Sequence, residues 1–164
     1  MHTIAIFILL TTLSVIIWQD VKFRAIHWLT LPILFSSLMA YNYPINFHHL
    51  FQNILFVLAL LFFITIYISI RSKRWILITR EHFGIGDILF LIAITPISPT
   101  LGFMYIVIIG TLCSLLIALV LMLKKRQQHI PYAGYFSIFL FVYIIADCCS
   151  WIPTLNYIYL GNPQ

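Results

Sequence analysis

The chain has 164 residues, of which 63% are hydrophobic and only 8% are charged. Soluble domains have about a quarter of their residues charged, so a soluble enzyme or a soluble nucleic-acid-binding protein is excluded. The mean hydropathy of +1.06 indicates an integral membrane protein, in which the net charge of +5 is first examined as a signal of membrane topology.

The spacing of the charged residues divides the chain into apolar segments. The stretches 25–70 and 88–123 contain no charged residue. Because a helix crosses the hydrocarbon core with about 20 residues, each stretch holds two crossings. The polar, proline-containing turns 41–46 and 95–100 mark the points where the chain reverses. The sequence therefore predicts an all-α membrane protein with six transmembrane helices, at roughly 2–18, 26–41, 50–70, 85–97, 101–123 and 132–151.

The basic residues predict the orientation of these helices. All nine Lys and Arg residues fall in loops that six crossings place on the same side of the membrane. The positive-inside rule makes that side cytoplasmic and both termini extracytoplasmic. We therefore expect a multi-pass protein of the inner or plasma membrane whose partner is the lipid bilayer. Nucleic acid is not needed to explain the positive charge.

Three of the four acidic residues lie at or within predicted spans, where an ionisable group is costly and marks a functional site. Asp20 ends the first span and Asp87 begins the fourth, so both carboxyl groups are predicted to lie at the cytoplasmic surface of the membrane. Two close carboxylates cannot both ionise cheaply, so such a pair can act as base toward a water and as acid toward a leaving group. Asp147 lies about 20 Å along the last span, too far to join them. Alternatively, Asp20 only marks the aqueous end of its helix and pairs with Arg24.

The residues around Asp87 strengthen the hypothesis of a carboxylate pair. They read Gly84-Ile85-Gly86-Asp87, in which two glycines let another backbone approach the carboxylate. With this motif, the chain resembles the type IV prepilin peptidase family, the GxGD membrane aspartic proteases that include preflagellin peptidases. Residues 20–26 are similar to the first aspartate motif of that family. Residues 130–136 are similar to the Ile-Pro-Phe-Gly-Pro segment that follows its basic loop.

The resemblance implies an aspartic endopeptidase without a cofactor or a metal, whose active site faces the cytoplasm. Its substrates would be prepilin-, pseudopilin- or preflagellin-type membrane proteins with short basic leaders. We expect one peptidase domain over residues 1–164, with no N-terminal methyltransferase or zinc domain and no methyl transfer. The site residues that the resemblance implies are Asp20 and Asp87 as catalytic groups, with Gly84, Gly86 and Arg24 as motif support.

Four further side chains are predicted close to the pair, and the chain departs from common family residues at three places. The predicted substrate contacts are His82, His129, Pro131 and Tyr132, although a solvated interfacial position is the alternative for the two histidines. The departures are His27 after the first motif, Leu89 after the second, and Ala133-Gly134 in the third.

Two other functions remain open at this stage. A transporter or assembly subunit could use the aspartates for ion contact or packing, but it would need a polar path across the bilayer. A presenilin-like protease would carry a Pro-Ala-Leu segment, which this sequence lacks. The pair His48-His49 has no acidic or thiolate neighbour in the sequence, so we do not predict a metal site there.

Overall fold

The computed structural model describes residues 2–44, 46–72, 84–124 and 131–149. Within these ranges the regular secondary structure is helical, and short turns join the helices; no strand occurs in them. A short 3₁₀ helix, Thr95–Ile97, follows the fourth α-helix. The α-helices are α1 His2–Phe23, α2 Thr30–Tyr41, α3 Phe47–Ser72, α4 Ile85–Ala93, α5 Thr100–Lys124 and α6 Tyr132–Cys148.

The helices differ in length, and this bears on the predicted crossings. Helices α1, α3 and α5 are long and apolar enough to cross a membrane. Helices α2, α4 and α6 have 12, 9 and 17 residues. At 1.5 Å per residue α4 is about 13 Å long, less than half of the hydrocarbon core. The all-α class is confirmed in this part of the chain, and three helices suit a membrane protein by length and composition, whereas six crossings and the side of the termini stay predictions.

Helix α1 lies at the centre of the packing, against α2 and α6. Leu9, Leu13 and Ile16 are fully buried along one of its faces, at helical spacing. The other faces of α1 are also apolar, and Phe7 and Trp18 are exposed on them. A helix that is apolar all round but buried on one face is suited to packing in a bundle on that face and contacting lipid elsewhere.

Helices α5 and α6 approach closely at Gly110. A Cβ atom at this position would lie 2.6 Å from Phe136 Cζ and 3.0 Å from Phe139 Cδ1. Small residues let membrane helices pack with their backbones close together. The ring of Phe136 therefore occupies the space that any side chain at Gly110 would need.

We expect Gly110→Ala to destabilise the protein by about 1–3 kcal/mol, because overpacking a filled core forces rings off their positions. Thermal unfolding in detergent measures this change. Leu116→Ala is the matched control on the same helix, since Leu116 is 61% exposed and leaves α6 untouched. Equal melting temperatures for the two variants would contradict the close contact of α5 with α6.

Candidate functional site

Asp20 is positioned by the end of α1. The helix ends at Phe23 because Arg24 adopts a positive φ of 53°, and the Arg24 N–H still donates to the Asp20 carbonyl oxygen at 2.9 Å. A residue in this left-handed conformation is a common helix terminator. Asp20 therefore lies in the last turn of α1, where only 5% of its surface is exposed.

Asp87 is positioned by the start of α4. Gly84 precedes the helix in an extended conformation, and the Asp87 N–H donates to the Gly84 carbonyl oxygen at 3.0 Å. A Cβ atom at Gly84 would lie 3.3 Å from Asp87 Oδ2, so the carboxylate folds back over this glycine. A carboxylate in the first turn is also favoured by the partial positive charge of the helix N-terminus.

The start of α6 brings the two carboxylates together. The Ala133 N–H donates to Asp87 Oδ1 at 3.3 Å, and the Gly134 N–H donates to Asp20 Oδ2. The first N–H groups of a helix have no partner within it, and the cap position here is Pro131, which provides no side-chain hydrogen bond. Two aspartates far apart in the sequence thus bind adjacent amides of one helix end.

The region behind the carboxylates is apolar. Phe90, one turn after Asp87, is fully buried and meets the ring of Phe136 edge-on, with the ring centroids 5.7 Å apart. The Tyr132 hydroxyl lies 3.0 Å from Thr111 Oγ1 on α5. Buried rings on one side and helix-end amides on the other limit the access of water to the pair.

The structure brings most of the predicted site residues to one end of the bundle. Gly84 and Gly86 adjoin Asp87, and the side chain of Ile26, from the first motif, lies 3.8 Å from a Cβ built at Gly86. Pro131 is buried immediately before α6. His82 and His129 lie outside the described residues, as do the segments 73–83 and 125–130 that contain most of the basic residues.

Arg24 and Asp147 take no direct part in this arrangement. Arg24 is exposed after α1, while the Asp20 carboxylate turns toward Gly134. Asp147 lies at the other end of α6 and accepts a hydrogen bond from the Tyr41 hydroxyl at the end of α2. Seventeen residues of continuous helix separate the ends of α6, so Asp147 is remote from the pair.

Ala133 and Gly134, whose amides bind the two carboxylates, were not predicted as site residues from the sequence. Gly134 supplies the amide for Asp20, and a Cβ atom there would lie 3.1 Å from both Asp20 Cβ and Asp20 Oδ2. Only a glycine leaves room for this contact without displacement. The sequence signal for this contact is a glycine in the first turn of an otherwise bulky apolar helix, at a position where the chain departs from the third motif.

His27 and Leu89, where the chain departs from common family residues, lie on the surface. Both side chains are exposed, and the His27 N–H donates to Gln19 Oε1 at 3.0 Å. Among the described residues no group of three or more His, Cys, Asp or Glu side chains could hold a metal ion. Among the described residues, the carboxylates at this end of the bundle are those of Asp20 and Asp87.

Comparison with known proteins identifies the family of this chain. No curated protein and no solved structure matches the chain. The model of the type IV leader peptidase family matches residues 7–123, a range that includes both Asp20 and Asp87. Since the match covers most of the chain, the protein belongs to the type IV leader peptidase family.

Proposed function

We propose that the chain is an aspartic endopeptidase that removes short basic leader peptides from prepilin-, pseudopilin- or preflagellin-type membrane proteins. The observation that carries this proposal is the binding of Asp20 and Asp87 by the adjacent amides of Ala133 and Gly134. Membership of the type IV leader peptidase family supports the class of substrate. The proposed cytoplasmic position of the site is supported by the basic loops of the sequence.

The chemistry follows from one proton shared between two carboxyl groups. The ionised carboxylate removes a proton from the bound water, whose oxygen then attacks the scissile carbonyl carbon. The protonated carboxyl group hydrogen-bonds the carbonyl oxygen while a tetrahedral intermediate forms. Collapse of this intermediate breaks the C–N bond, and the leaving amine takes up a proton from the pair. Asp20 and Asp87 would exchange their acid and base roles during each cycle.

The amides at the start of α6 would serve this chemistry in two ways. They fix both carboxylates, since Ala133 and Gly134 are consecutive residues of a rigid helix. They also place the partial positive end of α6 beside a site with one negative charge, which lies on the carboxylate pair at first and on the tetrahedral oxygen in the intermediate. Positioned dipoles of this kind need no reorganisation when the reaction begins.

The proposal is tested by cleavage in proteoliposomes. The purified chain is reconstituted with a substrate that has a basic leader followed by a hydrophobic helix, and the products are identified by mass spectrometry. We expect one cut at the junction of leader and helix. The matched control substrate has an uncharged leader of the same length. If the folded protein left the substrate intact, or cut it within the hydrophobic helix, the proposed specificity would be contradicted.

A bell-shaped pH dependence of kcat/KM is expected, because the pair is active only with one proton. Activity should fall at low pH, where both carboxyl groups are protonated, and at high pH, where neither is. The two limbs belong to the pair as a unit and not to one residue. Initial rates in a series of buffers at constant ionic strength measure the profile. A profile with a single limb would contradict proton sharing.

We expect the loop that contains Tyr43 and the loop that contains Arg126 to lie on opposite sides of the membrane. Tyr43 is 82% exposed before α3, while Arg126 belongs to a basic cluster. Single cysteines at these positions, in a variant without Cys113, Cys148 and Cys149, are labelled with a membrane-impermeant maleimide in intact cells. Only the Tyr43 position should react. Labelling of both positions would contradict the six-crossing topology.

The alternative of a non-catalytic transporter or assembly subunit makes a different demand on the structure. It needs polar groups that continue from the aspartates into the bundle. The buried rings of Phe90 and Phe136 stand directly behind the pair. This apolar contact favours a site that opens at one end of the bundle, as a peptidase requires.

A further inference from the structure

The start of α6 carries the two amides that hold the aspartate pair, and the backbone of α6 does not fix these amides. The Tyr135 N–H donates to the Pro131 carbonyl oxygen at 3.2 Å, so the amides before Tyr135 depend on partners outside the helix ladder. Pro131, at the cap position, provides no side-chain hydrogen bond. Helix ends of this kind fray unless another element holds them. Contacts with a neighbouring helix therefore decide how firmly the Ala133 and Gly134 amides face the carboxylates.

A hydrogen bond joins the first residue of α6 to α5. Thr111 Oγ1 donates to the Val107 carbonyl oxygen of its own helix at 2.7 Å. A hydroxyl group has one hydrogen, so at the 3.0 Å contact between the two side chains the Tyr132 hydroxyl donates and Thr111 Oγ1 accepts. The Tyr132 side chain is thus tied, through Thr111, to the backbone of α5.

The ring of Tyr132 is held by packing as well. Phe136 lies one turn further along α6, and the centroids of the two rings are 5.7 Å apart. The Phe136 ring occupies the space beside Gly110, the residue directly before Thr111. Two consecutive residues of α5 therefore contact two successive turns of α6. The packing sets the rotation of α6 about its axis, and the hydrogen bond sets the position of its first turn.

We propose that Tyr132 is a positioning residue that, through Thr111, holds the amides of Ala133 and Gly134 against the aspartate pair. Ala133 directly follows Tyr132, so a displacement of Tyr132 displaces both amides. The effect on cleavage rests on the proposed function, whereas the hold on the helix end can be measured without a substrate. This role replaces the substrate contact that the family resemblance implies for Tyr132, because a hydrogen donated to Thr111 is not available to a substrate.

The hold on the helix end is measured by NMR on the full chain in lipid nanodiscs. Ala133-Gly134 is the single Ala-Gly peptide bond of the sequence. Labelling of alanine with ¹³C at the carbonyl carbon and of glycine with ¹⁵N therefore selects one amide, that of Gly134. An amide proton bound to a carboxylate resonates at low field, so a weaker hydrogen bond to Asp20 moves this signal upfield or broadens it.

Tyr132→Phe and Thr111→Val are each expected to move the Gly134 signal upfield or to broaden it, because each removes one partner of the same hydrogen bond. Tyr143→Phe is the matched control. It removes a tyrosine hydroxyl from the same helix, about 16 Å further along, and should leave the signal unchanged. Thr111→Ser keeps a hydroxyl acceptor and should give a signal close to that of the wild-type chain.

Leader cleavage by the same variants shows whether the hold serves catalysis. Tyr132→Phe should lower kcat about 3- to 10-fold, the factor that one hydrogen bond contributes to an equilibrium, and should leave KM nearly unchanged. A variant with both Tyr132→Phe and Thr111→Val should lose no more than either single variant, because both substitutions break the same bond. Tyr143→Phe should cleave at the wild-type rate.

Three results would overturn the proposal. The first is an unchanged Gly134 signal in both Tyr132→Phe and Thr111→Val, whatever their activity. The second is an equal shift of that signal in Tyr143→Phe. The third is a higher KM with an unchanged kcat in Tyr132→Phe, which would assign the residue to substrate binding. If the Gly134 signal moves as expected but the wild-type chain cleaves no leader, the hold on the helix end is supported and the proposed peptidase function fails instead.

Discussion

Asp20→Asn and Asp87→Asn are each expected to lower the rate of leader cleavage by about 10²–10⁴-fold, the usual contribution of a general acid or base. An amide keeps the shape of the carboxyl group but cannot take up and release the proton that the proposed reaction needs. Its oxygen can still accept the hydrogen bond from Gly134 or Ala133, so both variants should insert and fold. Initial rates in proteoliposomes, normalised to folded protein, measure the loss.

Asp147→Asn is the control for these two variants. Asp147 is also a carboxylate within a predicted span, but it lies at the far end of α6 beside Tyr41. It should retain most of the wild-type cleavage rate, because it does not contact the proposed pair. A loss as large as that of Asp20→Asn would mean that the acidic residues act through the stability of the bundle.

Gly134→Val is expected to lower kcat about 10²-fold, and Gly134→Ala by a smaller factor. A Cβ atom at Gly134 would lie 3.1 Å from Asp20 Cβ and Oδ2, so the aspartate must move. Displacement of a catalytic group by about 1 Å can cost about 10²-fold in rate. Valine adds two methyl groups to the same crowded point, so its effect should be larger. Steady-state cleavage at several substrate concentrations separates kcat from KM.

Gly110→Ala distinguishes a local effect from a general loss of packing. Its Cβ atom would meet Phe136 at 2.6 Å, a worse clash than the one at Gly134, but one that faces an aromatic ring and not Asp20. This variant should melt at a lower temperature yet cleave at a near-normal rate per folded molecule. If it lost as much kcat as Gly134→Val, the special role assigned to the amide of Gly134 would be wrong.

The aspartates could be identified from the sequence because burying a charge near a membrane is costly. Asp20 and Asp87 stand out against long apolar stretches, and the basic clusters predict that both lie at the same membrane depth. The turn residues around Pro44 and Pro96 also marked helix ends correctly. These signals rest on composition and on the length of a helix, which act along the chain and need no tertiary contact.

The contacts that hold the pair could not be read in this way. The Ala133 and Gly134 amides are main-chain groups, and a main-chain donor has no sequence signature of its own. The lengths of α2 and α4 were also overestimated, because hydropathy does not show where a buried segment leaves the helix. The carbonyl groups of the turn after α4 are bound instead by Asn42 and Asn53. These hydrogen bonds come from side chains in other parts of the sequence, which a hydropathy pattern along the chain does not show.

The most direct test compares leader cleavage by the wild-type chain, Asp20→Asn, Asp87→Asn and the double variant in one proteoliposome preparation. If the two carboxyl groups work as one unit, the double variant should lose no more activity than either single variant. Losses that multiply in the double variant, or substantial cleavage by either well-folded single variant, would contradict a catalytic pair formed by Asp20 and Asp87.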